Sequence, residues 1–307
     1  MAGGSVVRVW RPGWPCEPYD VLRVLRRGGR DPAFQRDGDG TIWRASTTPA
    51  GTSTLRIRSR RALGQVELEA WGSGAEWALD NAPALLGAFD DAHGFEPSNP
   101  NVRAAWNRNP HWRITRTGLV MEALVPAVIE QKVTGMEAWL GWRLLLRRFG
   151  SAAPGPAGAR GMRCPPTALE LALVASWDWL RCHIDAKRSD TIVRAAKLAR
   201  AIERTVGLPE ADADRRLRSL PGIGAWTSAE TRQRAHGHAD AVSFGDYHVA
   251  SHIGYALTGE RIDDEQLAQV LEPDRPHRYR VQHVVTTRMA GPPRHGPRMA
   301  PRTHLPR

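Results

Sequence analysis

A chain of 307 residues, 41% of them hydrophobic, is long enough for about two packed domains and too apolar for wholesale disorder. Its 43 Lys and Arg outnumber 32 Asp and Glu, and the formal charge of +11 favours a polyanionic partner, nucleic acid first. Lys occurs only at Lys132, Lys187 and Lys197, so the excess is almost wholly Arg, which a GC-rich coding bias or a solvated basic surface would also produce. The cysteines Cys16, Cys164 and Cys182 are odd in number and far apart, which suits a reducing compartment and gives no disulfide framework or metal-ligand spacing. No apolar run is long enough to span a membrane, and the N-terminus lacks a basic segment followed by an apolar core. A cytoplasmic, nucleoid-associated location is expected.

Val6 to Trp10 alternates and is rich in β-branched residues, which predicts a short strand. Val21, Leu22, Val24 and Leu25 predict a short helix over 19–25. Asp37-Gly38-Asp39-Gly40 marks a turn, and three strands are predicted over 41–45, 53–58 and 65–71. The last alternates Val66, Leu68 and Ala70 with Gln65, Glu67 and Glu69, the pattern of a small antiparallel sheet with one wet face. A helix over 76–89 follows, then a turn-rich stretch from Asp90 to Asn101 that is the candidate domain boundary.

From Asn101 onward the periodicity is helical. The apolar pattern over 117–149 predicts two helices broken near Gly135, and the Pro/Gly/Ala-rich run over 151–166 predicts a linker or surface loop. Further helices are predicted over 169–179, 186–206, 212–220, 225–235, 246–257, 263–271 and 276–288. The chain beyond Asp274 has eight Arg and no acidic residue, and reads equally as a mobile basic arm or a solubilising end. The fold class is α+β: an antiparallel sheet with helices over residues 1–93, an all-helical domain over 94–274, and a last helix with a basic tail over 275–307.

The turn Leu220-Pro221-Gly222-Ile223-Gly224 lies between two of the predicted helices. Pro presets the turn, the glycines allow positive φ and close backbone approach, and Ile223 anchors the hairpin in the core. Ala225, Trp226 and Thr227 open a helix whose free N–H groups suit a phosphate oxygen, helped by the helix dipole. Such a hairpin grips backbone and reads no bases. By itself it is sooner an ordinary corner of a helical bundle. About twenty residues further on stands Asp246, which is also placed to cap the apolar helix it precedes.

Three segments together carry a resemblance: the hairpin Leu220 to Thr227, the pair Asp246-Tyr247, and Glu130-Gln131-Lys132-Val133-Thr134 at the end of an apolar helix. In order and spacing they resemble the helix–hairpin–helix superfamily of DNA glycosylases, most closely the 3-methyladenine DNA glycosylase II family, whose extra antiparallel domain the N-terminal strands also match. The resemblance implies that Asp246 is the catalytic carboxylate, and that Pro221, Gly222, Ile223, Gly224, Ala225 and Thr227 grip DNA. It implies a base pocket at Trp226 and Tyr247 and a wedge near Gln131 and Lys132 that fills the gap left by a flipped base.

The implied activity is excision of alkylated purines from damaged double-stranded DNA by a monomer. It needs no cofactor and no metal centre, apart from a monovalent cation on hairpin carbonyls. A cationic alkylated purine leaves easily and stacks well on aromatic rings, so one carboxylate that stabilises the oxocarbenium-like sugar suffices. Lyase members carry a nucleophilic Lys where this chain has Trp226, and 212–247 contains no Lys, so a monofunctional enzyme is expected. The iron–sulfur branch needs four clustered Cys, which this chain lacks.

The chain departs from the family at three positions. Lys132 replaces the usual apolar neighbour of the Gln and is otherwise a phosphate contact or a solvated side chain. Gly245 replaces an acidic residue before the catalytic Asp. Glu230 replaces an aromatic four positions after Trp226 and is expected on the surface; were it in the pocket, substrate preference would differ. Trp226 and Tyr247 are alternatively core residues. His248 and His252, one helical turn apart, read as structural or phosphate-contacting rather than as a metal pair. The alternatives are a non-catalytic hairpin DNA-binding protein and a glycosylase for other bases, such as deaminated ones.

Overall fold

The computed structural model describes residues 4–293, so the end of the expected basic tail lies outside the described residues. Strands β1 (Val6–Trp10), β2 (Phe34–Arg36), β3 (Ile42–Thr48), β4 (Gly51–Arg60) and β5 (Gln65–Trp71) form one antiparallel sheet in the order β1-β5-β4-β3-β2. The strand β2 is three residues long, too short for its alternation to show in the sequence. Ile42 lies opposite Ile57, and Ile57 opposite Leu68, so one face is a continuous apolar strip. Between β1 and β2, helix α1 (Pro18–Leu22) runs into a tighter turn over Arg23–Leu25. Helix α2 (Ala75–Leu85) packs Leu79, Ala82 and Leu85 onto the apolar strip.

The other face is not wet where Trp43 of β3 and Trp71 of β5 meet across β4. Trp43 and Trp71 stack there at 5.7 Å, 19° from parallel. The run expected to be a linker covers them. Its short strands β6 (Ser151–Ala152) and β7 (Arg163–Cys164) pair with each other, and Ala153, Ala157, Met162 and Cys164 are buried with the two indoles. Its alanines and glycines are small enough to lie flat on two Trp rings, a use that composition cannot distinguish from a flexible loop.

Beyond the sheet the helices build two lobes. Helix α3 (Pro100–Asn107) opens the first. Helices α4 (Val120–Ile129) and α5 (Gly135–Phe149) start the second, separated by a loop that ends where Thr134 and Glu137 form a reciprocal cap. Helix α6 (Pro156–Ala159) lies in the run over the two indoles, and the second lobe continues through α7 (Ala168–Leu173), α8 (Ser176–Arg181), α9 (Ala186–Lys197), α10 (Ala199–Glu203), α11 (Glu210–Arg218) and α12 (Ala225–Ala235). The single helices expected over 169–179 and 186–206 are each broken, the first at Val174, whose backbone is extended. Val128, Trp142, Leu145, Ile192, Leu217 and Ile223 centre this lobe. The chain then returns to the first lobe as α13 (Val249–Thr258), α14 (Asp264–Leu271) and α15 (Arg278–Arg288), where Ile253, Leu267 and Val281 join Val102 and Trp106. Among the described residues no helix is long and apolar enough to cross a membrane.

Helix α15 belongs to a core, and its arginines are not an exposed basic arm. Arg278 pairs with Asp240 at 2.6 Å. The Arg280 guanidinium is wholly buried, donates to both oxygens of Asp90 at 3.0 and 2.6 Å, and faces the rings of Phe95, Trp106 and Trp112. Asp90 also accepts from the Ile114 N–H, so this pair ties α15 to the segment that leaves the sheet domain. A buried pair broken from one side leaves an uncompensated charge. Arg280→Met should therefore lower unfolding free energy by about 3–5 kcal/mol, seen as a shifted midpoint in urea denaturation.

Candidate active site and DNA interface

The hairpin is closed by the Ile223 N–H donating to the Leu220 carbonyl at 3.0 Å, while the Ile223 side chain is buried in the second lobe. Gly222 has φ +95, and a Cβ there would collide with Thr191 on α9, so both conformation and space require glycine. Two side chains hold the turn from behind. Arg194 donates to the Pro221 carbonyl at 2.9 Å, and the Gln131 amide donates to the Gly222 carbonyl at 3.0 Å and to the Thr227 hydroxyl at 2.8 Å. In front, Gly222, Gly224 and Ala225 are exposed, and no side chain caps the start of α12. That leaves a helix N-terminus open to an anion.

Gln131 and Lys132 thus have different placements. Gln131 is tied to the hairpin, whereas Lys132 is exposed at the loop tip with φ +55, a left-handed conformation that costs a residue with a Cβ about 1–2 kcal/mol. The loop is held in place by Arg188, a buried residue that the sequence reading did not single out. Its guanidinium donates to the Ile129 carbonyl at 2.7 Å and to the His183 carbonyl at 3.1 Å. Thr227 is buried and its hydroxyl is engaged by Gln131, so its side chain faces inward rather than towards a ligand.

Asp246 stands on the connection from α12 to α13, where the chain passes from the second lobe to the first. Its carboxylate is partly exposed and accepts from Trp226 Nε1 at 3.0 Å, from the His248 N–H at 2.8 Å and from the Val249 N–H at 3.1 Å. It therefore caps α13 while Trp226 ties it to α12. Two oxygens offer about four acceptor positions, so one remains for a ligand. The preceding Gly245 has φ +86 and donates its N–H to Asp264 on α14 at 2.8 Å. An acidic side chain thus reaches this position from another helix. Tyr247 is 90% exposed and edge-on to His248, so it is not a core residue. His248 is also exposed, and His252 contacts the Met289 carbonyl. Among the described residues no group of three or more His, Cys, Asp or Glu could hold a metal.

The expected surface Glu is buried. Glu230, 8% exposed, pairs with Arg234 at 2.7 Å and accepts from the Ser243 hydroxyl at 2.7 Å. Ser243 in turn receives the amides of Gln233 and Gln282 at 2.8 and 2.9 Å, which sets the loop ahead of Asp246. Burial alone would lower the Arg234 pKa, but Glu230, Tyr279 and Glu130 outweigh it and hold it above its ordinary value. Burial lowers Arg27, against the pull of Glu130 at 3.0 Å, and pushes the Tyr279 phenol up to about 12. Helix α12 has no apolar stripe, and its lone Glu among polar neighbours gave no sign of burial in the sequence.

The sheet, the two helical lobes and the hairpin between α11 and α12 make up a fold that solved helix–hairpin–helix DNA glycosylases share. The chain superposes on a 3-methyladenine DNA-glycosylase from Archaeoglobus fulgidus with a TM-score of 0.75 and 17% identity, over 91% of this chain and 97% of that one. The 8-oxoguanine glycosylase/lyase of Clostridium acetobutylicum matches with a TM-score of 0.70 and 11% identity, over 92% and 96%. The Schizosaccharomyces pombe 3-methyladenine DNA glycosylase, in complex with abasic DNA, matches with a TM-score of 0.51 and 16% identity over 63% of this chain and 92% of that one. No protein-family profile and no curated protein matches the sequence.

Gly222→Ala should lower stability by about 1–2 kcal/mol through the left-handed backbone alone. It should also weaken binding to duplex DNA, measured by fluorescence anisotropy, with no change in preference among sequences.

Proposed function

We propose that this protein is a monofunctional DNA N-glycosylase of base-excision repair. The observation that carries the reading is the Asp246 carboxylate, partly exposed and held both by Trp226, two residues past the hairpin, and by the start of α13. In the proposed reaction the hairpin from Pro221 to Ala225 grips a phosphate beside the lesion, and Lys132 stands at the duplex where a base has been turned out. The C1′–N bond breaks and its electron pair leaves with the base. Asp246 stabilises the positive charge on the sugar and orients water, whose oxygen bonds C1′ and whose proton passes to the departing base or to solvent. Trp226 stands where lyase chemistry would need an amine, so the product is an abasic site.

A monovalent cation on the hairpin would add charge towards a phosphate. With the Pro221 and Gly222 carbonyls turned to Arg194 and Gln131, it would rest on other carbonyls of the turn.

For the base, the motifs favour an alkylated purine. A second reading, a deaminated or otherwise neutral base, is favoured by the buried Glu230–Arg234 pair where an aromatic was expected.

Two outcomes are expected from full-length protein and damaged duplex DNA. Asp246→Asn should cut base release by about 100-fold or more while abasic-site DNA is still bound. Equal release by both proteins would remove Asp246 from the chemistry, and strand cleavage without alkali would end the monofunctional assignment. Trp226→Phe should slow release by about tenfold, the worth of one hydrogen bond to a charged group, with little change in DNA affinity.

A further inference from the structure

Helix α12 carries Trp226, Glu230 and Arg234 at four-residue steps, so their side chains lie one above another on one face. Trp226 holds Asp246, and the other two continue one and two turns further in. Neither is sealed: the Glu230 and Arg234 side chains keep 11% and 12% of their exposure. Arg27 and Glu130, paired at 3.0 Å, adjoin them, and Tyr279 of α15 lies close to both. The two groups that follow Trp226 on this face are a carboxylate and the guanidinium paired with it, and Arg234 opposes a cationic base directly.

A neutral base with an N–H beside a carbonyl fits this surface. Glu230 has acceptor positions beyond those used by Ser243 and Arg234. Arg234 spends Nε on the Val24 carbonyl and Nη1 on Glu230, which leaves Nη2 to donate. Resting on the glycosylase reading above, we propose that Glu230 and Arg234 select the flipped base, and that it is a neutral purine with a lactam edge, deaminated or oxidised, rather than a cationic alkylated one. The carboxylate takes the N–H and the guanidinium meets the carbonyl. A base that lacks this edge leaves buried polar groups unpaired, the most effective form of rejection available to a site.

The test compares single-turnover release of hypoxanthine, 8-oxoguanine and 3-methyladenine from otherwise identical duplexes, each relative to its spontaneous loss. At least one lactam base should be favoured over 3-methyladenine by about tenfold or more. The double variant Glu230→Gln/Arg234→Met removes both charges together, so that neither is orphaned in the interior. It should lower that ratio by about tenfold while still binding a duplex with an abasic-site analogue, which reports its folding. Preference for 3-methyladenine in the wild type, or an unmoved ratio in the folded double variant, would overturn the proposal and leave the glycosylase reading standing. Release of no base by wild type that binds the abasic analogue would overturn both.

Discussion

A polar helix buried at the centre of the molecule is the constraint on which the rest depends. Helix α12 has Thr227, Ser228, Glu230, Thr231, Arg232 and Gln233 out of solvent. Each needs a partner, since an unmade bond in the interior costs about 1–3 kcal/mol. Ser228 and Arg232 are met by Asp214 of α11, Gln233 by the Ala241 carbonyl and Ser243, and Glu230 by Ser243 and Arg234. The last turn gives its Arg234 and Ala235 carbonyls to the N–H groups of Thr117 and Gly118. The helix is thereby fixed in rotation, and with it the hairpin at its start and the carboxylate tied to Trp226.

The hairpin and the loop beside it are held by the same logic of side chain to backbone carbonyl. Gln131 joins the loop after α4 to the hairpin, Arg194 holds the hairpin to α9, and Arg188 holds the end of α4. These donors leave the amide edge of the turn outward and place the strained Lys132 at the tip. Strain of that kind persists only where the surroundings over-determine it.

Much of the fold was legible because periodicity reports burial when burial is apolar. The strand Gln65–Trp71 and the helix Ala225–Ala235 have their predicted bounds, and the hairpin and Asp246 were found by residue type and spacing. The misses share one cause. The run over 151–164 is rich in small residues and reads as loop, yet it covers Trp43 and Trp71. Arg278 and Arg280 read as a basic arm, yet they are paired inside the fold. Glu230 reads as surface, yet it is paired with Arg234. Polar burial leaves no trace in a hydrophobic pattern, because the partner that makes it affordable comes from elsewhere in the chain.

By itself the sequence determined the α+β class, the glycine hairpin and the position of Asp246 at a helix start, since glycine conformation, helix starts and strand alternation are local properties. Only the tertiary structure decided which way the residues around that acid face. Tyr247 went to solvent, Gln131 into the hairpin, and Glu230 into the interior behind Trp226. Those directions depend on partners more than a dozen residues away in sequence, the hairpin for Gln131, α14 for the turn before Tyr247 and Ser243 for Glu230, and no local pattern encodes them.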